Sequence, residues 1–185
     1  RPILSYAQQR HWFLCQLDPQ STAYHLGGGL RLLGKLDIEA LQASFQGLIT
    51  RHESLRTVFQ RDEAGLPQQK IDAQGKFELI RIDLSDLPVA QRAQRAQEEA
   101  MRINTTPFDL TQGPLLRVAL IRVAAEERHL VVVMHHIISD AWSNRIIIDE
   151  FAARYRAQVE KLEFSPPPLA IQYADYALWQ RNWLE

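Results

Sequence analysis

Two adjacent histidines and an aspartate, in the run Met134-His135-His136-Ile137-Ile138-Ser139-Asp140-Ala141-Trp142-Ser143, concentrate the titratable chemistry of this chain. Imidazole is the side chain best suited to exchanging protons near neutral pH, and a carboxylate close by can orient it. The preceding Leu130-Val131-Val132-Val133 is an unbroken apolar run of the kind that fills an interior strand. Ile146, Ile147 and Ile148 begin an apolar segment of helical length. The polar groups therefore sit where a strand ends and a helix follows, so that a rigid element holds them and a loop exposes them.

Neighbouring residues of a strand point to opposite faces, so His135 and His136 enter one pocket together only if the strand has already ended. One of the two is expected to be structural. The same alternation disfavours a shared metal site, and no Cys-x-x-Cys pattern or further histidine cluster supplies ligands, so no metal is expected. Asp140 reads as an orienter or an ion-pair partner, because a buried carboxylate needs a cation or several donors. Arg51 and Arg56 lie in the other charged cluster, Arg51-His52-Glu53-Ser54-Leu55-Arg56-Thr57, which by default is a solvated helix end. Neither Ser139 nor Ser143 sits in a Gly-x-Ser-x-Gly elbow, which disfavours a serine nucleophile. By residue type alone, a His-His pair is more often a hydrogen-bonded core feature than a catalyst.

Composition bounds the setting of this chemistry. With 185 residues, 46% hydrophobic and 23% charged, the chain can bury a core and reads as one globular domain or one lobe of a larger unit. A net charge of −1 gives no basic field to draw it to nucleic acid or an anionic membrane. The single Cys15 cannot form an internal disulfide, and no secretory leader is visible, so a cytoplasmic location is expected. The start at Arg1-Pro2 and the end at Glu185, inside a helical pattern, suggest a piece of a longer polypeptide.

The elements that must position the motif alternate between helix and strand. Ser5 caps a helix over about 7–17, followed by a strand over 23–34 in which Gly27-Gly28-Gly29 suggests a bulge or a close backbone approach. Asp37 caps a helix to about Arg51, whose apolar face is expected to carry Leu36, Leu41, Phe45, Leu48 and Ile49. A hairpin runs from Arg56 through Asp62-Glu63-Ala64-Gly65 to Ile71, and another strand starts around Phe77, Leu79 and Ile82. Val89, Ala93, Ala96, Ala100 and Ile103 recur at helical spacing. Leu115–Val123 and Arg128–Met134 form a hairpin, and a helix spans about 142–161. The compact part ends near residue 164. Ser165-Pro166-Pro167-Pro168 stiffens a linker over 165–171, and residues 172–185 read as an aromatic helix with Tyr176, Trp179 and Trp183 on one face.

Four stretches, in order, resemble the signatures of condensation domains from nonribosomal peptide synthetases. Ser5-Tyr6-Ala7-Gln8-Gln9-Arg10-His11-Trp12-Phe13-Leu14 resembles the first, with His11 where an aliphatic residue is usual. Arg51-His52-Glu53-Ser54-Leu55-Arg56-Thr57-Val58-Phe59 matches the second throughout. His135-His136-x-x-x-Asp140 matches the third, with Ala141 in place of glycine, and Tyr173-Ala174-Asp175-Tyr176-Ala177-Leu178-Trp179 resembles the fourth, with Leu178 for valine.

The resemblance implies an α/β fold of the chloramphenicol-acetyltransferase type, a mixed sheet packed with helices in an α+β sandwich, with two such lobes facing across a tunnel. Residues 1–164 would form the N-terminal lobe, and residues 172–185 would lie near the crossing to a second lobe. It also implies amide-bond formation between a donor acyl or peptidyl thioester and an acceptor aminoacyl thioester. His136 matches the histidine at the reacting centre, with His135, Asp140 and Arg56 as supporting residues and an Asp140–Arg56 pair stiffening the loop. Ala141, Trp142 and Ser143 would line the acceptor side of the tunnel. No cofactor is expected to bind intrinsically, since upstream and downstream carrier proteins bring the phosphopantetheine arms, and an adenylation domain is expected in cis. An epimerization domain and a non-catalytic carrier-docking module are the alternatives, and an isolated lobe is expected to be inactive because the tunnel lacks its other wall.

Overall fold

Leu130, Val131, Val132, Val133 and Met134 are all 0% exposed in the computed structural model, which describes residues 4–73, 75, 77–138, 144–161 and 170–173. They lie on β6 (Glu127–His135), whose side chains alternate between two faces, so both faces are covered at this point. An apolar run without polar alternation is the sequence consequence of that position. The strand occupies the centre of a five-stranded sheet in the order β4-β5-β6-β1-β7, with β1 at His25–Leu33, β4 at Leu79–Asp83, β5 at Leu116–Ala124 and β7 at Ala170–Tyr173. Only β4 and β5 pair in parallel among these strands, and the crossover that parallel pairing requires is supplied by the helix α3 (Val89–Asn104). The mixed sheet packed with helices is the architecture expected from the sequence.

Three glycines do not interrupt β1. Its ladder with β6 is continuous from His25 opposite His135 to Leu33 opposite Glu127, and Gly27, Gly28 and Gly29 face Val133, Val132 and Val131. The bulge suggested by the glycines is therefore absent from this pair, and a register shift falls instead in β5, between Arg122 and Ala124.

Local signals account for the helices. Ser5 and Gln8 cap α1 (Tyr6–Leu17) reciprocally, each side chain accepting a hydrogen bond from the other residue's backbone N–H. The Asp37 side chain accepts from the Ala40 N–H at the start of α2 (Ile38–Arg51), and that helix buries Leu41, Phe45, Leu48 and Ile49 as its apolar periodicity predicts. Phe45 stacks on Phe151 of α4 (Asn144–Glu160) at 4.5 Å between ring centres, joining the two helices. In α3 the buried face is shorter than the sequence spacing suggests. Ala96, Ala100 and Ile103 are buried, but Val89 is 75% exposed and Ala93 is exposed as well.

After α2 the chain makes a 3₁₀ turn over Glu53–Arg56 and enters a separate two-stranded ribbon, β2 (Thr57–Arg61) and β3 (Pro67–Ile71). At the other end of the molecule, β7 corrects the domain reading. Ala170 and Ile171, assigned to the linker, and Gln172 and Tyr173, assigned to the aromatic helix, form one strand antiparallel to β1. Proline stiffness and aromatic spacing are local signals, whereas the open edge of β1 that recruits these four residues is set by the tertiary fold. The rest of the linker and of the aromatic helix lies outside the described residues. Among the described residues no helix is long and apolar enough to cross a membrane.

Candidate active site

The end of β6 separates the two histidines. His135 is the last residue of the strand, with its N–H donating to the Leu115 carbonyl (3.0 Å), and it is 2% exposed. His136 begins a 3₁₀ turn over His136–Ile138, with its N–H donating to the Tyr24 carbonyl (2.8 Å), and its side chain is exposed. Ile137 and Ile138 are buried and clamp the turn from below. The change from strand to turn thus falls between the two residues and sends one ring into the core and the other to the surface.

The environment of His135 decides what it can do chemically. Its Nδ1 accepts a hydrogen bond from the Ile137 N–H at 3.0 Å, which requires the neutral ring to carry its proton on Nε2. Burial, reinforced by His25, His11, His136 and Arg117 nearby, pushes its pKa down to about 3. A ring that stays neutral to that point does not exchange protons at neutral pH, but it ties the turn back onto itself through the Ile137 amide.

A layer of groups that sequence reasoning passed over supports His135. His25, opposite it on β1, is 1% exposed and donates from Nδ1 to the Asn104 carbonyl at the end of α3 (2.6 Å). Burial holds this ring below the ordinary histidine range, although the Asn104 contact acts in the other direction. Phe108 meets both rings edge to face, at 4.9 Å from His25 and 6.0 Å from His135. The guanidinium of Arg117 covers the Phe108 ring at 3.8 Å and donates to the carbonyls of Ile103, Thr106 and Pro107. Burial lowers its pKa to about 10, so it stays charged at neutral pH. Only the β1–β6 register, invisible in a single sequence, brings His25 to His135.

Arg117 therefore closes the end of α3 and roofs the histidine layer. We expect Arg117→Ala to cost about 2 kcal/mol, because charge-assisted hydrogen bonds to three carbonyls and a stacked cation are lost together. Lysine should not restore the stability, since one ammonium cannot match a planar fork. Urea unfolding of the two variants measures this, and an alanine variant as stable as the parent would refute it.

Arg56 makes two backbone contacts that its sequence context did not announce. Its Nε donates to the Ile49 carbonyl (3.1 Å) and its Nη1 to the Asp72 carbonyl (2.8 Å), joining the end of α2 to the segment after β3. Gly75, at φ +51°, lies against its stem, where a Cβ would approach the Arg56 side-chain carbons to 2.6 Å. The Arg56 end of this cluster is thus a built junction, while Arg51, in the last turn of α2, is exposed as a solvated helix end is. His52 adds to it through a 2.9 Å contact with Glu150 of α4. Burial raises the Glu150 carboxyl, but His52 and Arg154 outweigh it, and the group sits below the ordinary carboxylate range. Asp140, Ala141, Trp142 and Ser143 lie outside the described residues, as does any pairing of Asp140 with Arg56. Among the described residues no group of three or more His, Cys, Asp or Glu side chains could hold a metal ion.

The exposed His136 is not isolated. His11, noted from the sequence only as a departure at an aliphatic position, reaches over from α1 and stacks on it, 4.5 Å between ring centres with the planes 24° apart. A cleft of about 330 Å³ opens along the far side of α1, lined by Trp12, Cys15, Phe108 and Leu110 among others.

Comparison with known proteins bears on the family and the fold. The family model for the condensation domain matches residues 2–185. One of the linear gramicidin synthase proteins of Brevibacillus parabrevis is 48% identical over 182 residues, which is 98% of this chain and 4% of that protein. Malpibaldin synthetase of Mortierella alpina is 43% identical over 189 residues, 98% of this chain and 3% of that protein. Among solved structures, the starter condensation domain of the rhizomide synthetase RzmA superposes with a TM-score of 0.78 at 27% identity, covering 90% of this chain and 39% of that one. The first condensation domain of the calcium-dependent antibiotic synthetase, in complex with a substrate analogue, does so with the same TM-score and identity, covering 91% and 40%.

Proposed function

This chain belongs to the condensation-domain family of nonribosomal peptide synthetases, and from that membership we propose that it is the histidine-bearing N-terminal lobe of an amide-forming acyltransferase. The observation that carries the reading is the split at the end of β6, which buries a neutral His135 as an anchor and presents His136 at the surface. Its substrates are two thioesters on carrier-protein phosphopantetheine arms. The acceptor amine attacks the donor carbonyl, the C–N bond forms, the C–S bond breaks, and the amine proton leaves for the departing thiolate. His136 stands at the reacting centre, taking up the amine proton or holding the amine in line. The buried layer of His135, His25, Phe108 and Arg117 fixes the turn that carries it, as a reactive group on a loop requires. By family resemblance, Asp140 is assigned a supporting role, and Ala141, Trp142 and Ser143 are assigned to the acceptor side.

The chain spans about 39% of the solved condensation domain it matches. In this reading a second lobe completes the tunnel, and the lobe alone does not turn over. The test is reconstitution of the complete condensation domain containing this lobe, with donor-loaded and acceptor-loaded carrier proteins. The acceptor carrier should gain the mass of the donor acyl group. Carriers that bind but yield no amide would overturn the enzymatic reading.

A further inference from the structure

We infer that His11 is a positioning residue that orients the His136 ring by face-to-face stacking, an inference that rests on the assignment of His136 to the reacting centre. The two ring centres are 4.5 Å apart and the planes 24° apart. Tyr24 engages both partners, because its carbonyl accepts the His136 N–H at 2.8 Å and its ring meets the edge of His11 at 5.3 Å. His136 is therefore held at its backbone by Tyr24 and across one ring face by His11. A flat neighbour restricts rotation of a histidine ring stacked on it, where an aliphatic side chain offers no plane to match.

The support under His11 is rigid. Trp12, the next residue, is 2% exposed and carries Arg61 over its ring at 5.7 Å. Gln8 receives Gln69 at 2.9 Å and Gln16 receives Arg61 at 2.9 Å, so α1 is tied to the β2–β3 ribbon on both sides of His11. With its N-terminus capped by Ser5, the helix presents the His11 ring at a fixed height above the turn over His136–Ile138. The stack joins two elements far apart in the sequence, α1 and the turn after β6. It implies that the preferred direction of His136 here depends on α1 as well as on its own loop.

The test compares His11→Leu, which restores the usual residue type, with His11→Phe, which keeps a flat face without ring nitrogens. In the complete condensation domain, His11→Leu should lower kcat about fivefold, equivalent to about 1 kcal/mol, with the KM for the acceptor thioester unchanged. His11→Phe should restore kcat. In this chain labelled with ¹³C-histidine, relaxation of the His136 Cε1–H group should show faster ring motion in the leucine variant but not in the phenylalanine one, and a merely structural role for His11 would leave that motion the same in both. Equal kcat and unchanged ring motion in His11→Leu would overturn the inference, as would a stable His11→Phe variant as slow as the leucine one. If the parent domain makes no amide at all, the assignment of His136 fails, and the relaxation still reads whether His11 restrains its ring.

Discussion

Replacing His136 with alanine in the complete two-lobed domain should lower the rate of amide formation by about 10²–10⁴-fold, the usual contribution of a positioned general base. The fold should hardly notice, because the side chain is exposed and exposed substitutions usually stay within about 0.5 kcal/mol. That separation of activity from stability distinguishes His136 from His135, whose ring is enclosed and bonded to Ile137. Single-turnover formation of the dipeptidyl carrier, with a thermal melt of the same sample, measures both quantities. Alignment of two tethered thioesters survives the substitution, so a residual rate well above background is compatible with the assignment. A variant within about threefold of the parent rate would remove His136 from the reacting centre.

The site was legible in part because its chemistry is written in residue types, while its geometry is not. A strand of Leu and Val ending in His-His states that the two rings diverge, and β6 ends at that boundary. Which ring goes inward depends on the register with β1 and on Phe108 and Arg117, contributed from elsewhere in the chain. His25 carries no local signal of its role, since a single histidine before Gly-Gly-Gly has no periodic partner. Arg56 was legible only by its charge, which carries no sign of the bonds it makes to the Ile49 and Asp72 carbonyls. An arginine's five donors suit the close of a helix as well as an ion pair, and sequence cannot choose between them.

The elements divide along a similar line. Helices with a cap and a full apolar stripe, such as α2 behind Asp37, follow from spacing alone, as do the two hairpins. The four residues of β7 do not, because a short strand at a sheet edge is recruited by the unpaired groups of its neighbour β1 and needs no periodicity of its own.

Acidification should begin to destabilise this chain well above the pH at which carboxylates protonate. The His135 ring stays neutral to about 3 when folded and takes up a proton near 6.5 when exposed. Between those values the unfolded state binds more protons, so stability is full above pH 6.5 and falls as the pH drops toward 3. Near pH 5.5 the unfolded ring is about nine-tenths protonated, and His135 alone then contributes a slope of roughly 1.2 kcal/mol per pH unit, or several kcal/mol over the whole window. His25 and His129, also lowered chiefly by burial, add to it with the same sign. The lowered carboxyls of Glu127 and Glu150 act in the same direction, but only below the ordinary carboxylate range. Urea midpoints measured at intervals from pH 7.5 to 5 should therefore decline by about 2 kcal/mol or more in free energy, and His135→Gln should flatten the decline even if it starts from a less stable protein. A free energy independent of pH across that range would mean that the His135 ring takes up its proton in the folded state, and the buried anchor beneath His136 would have to be abandoned.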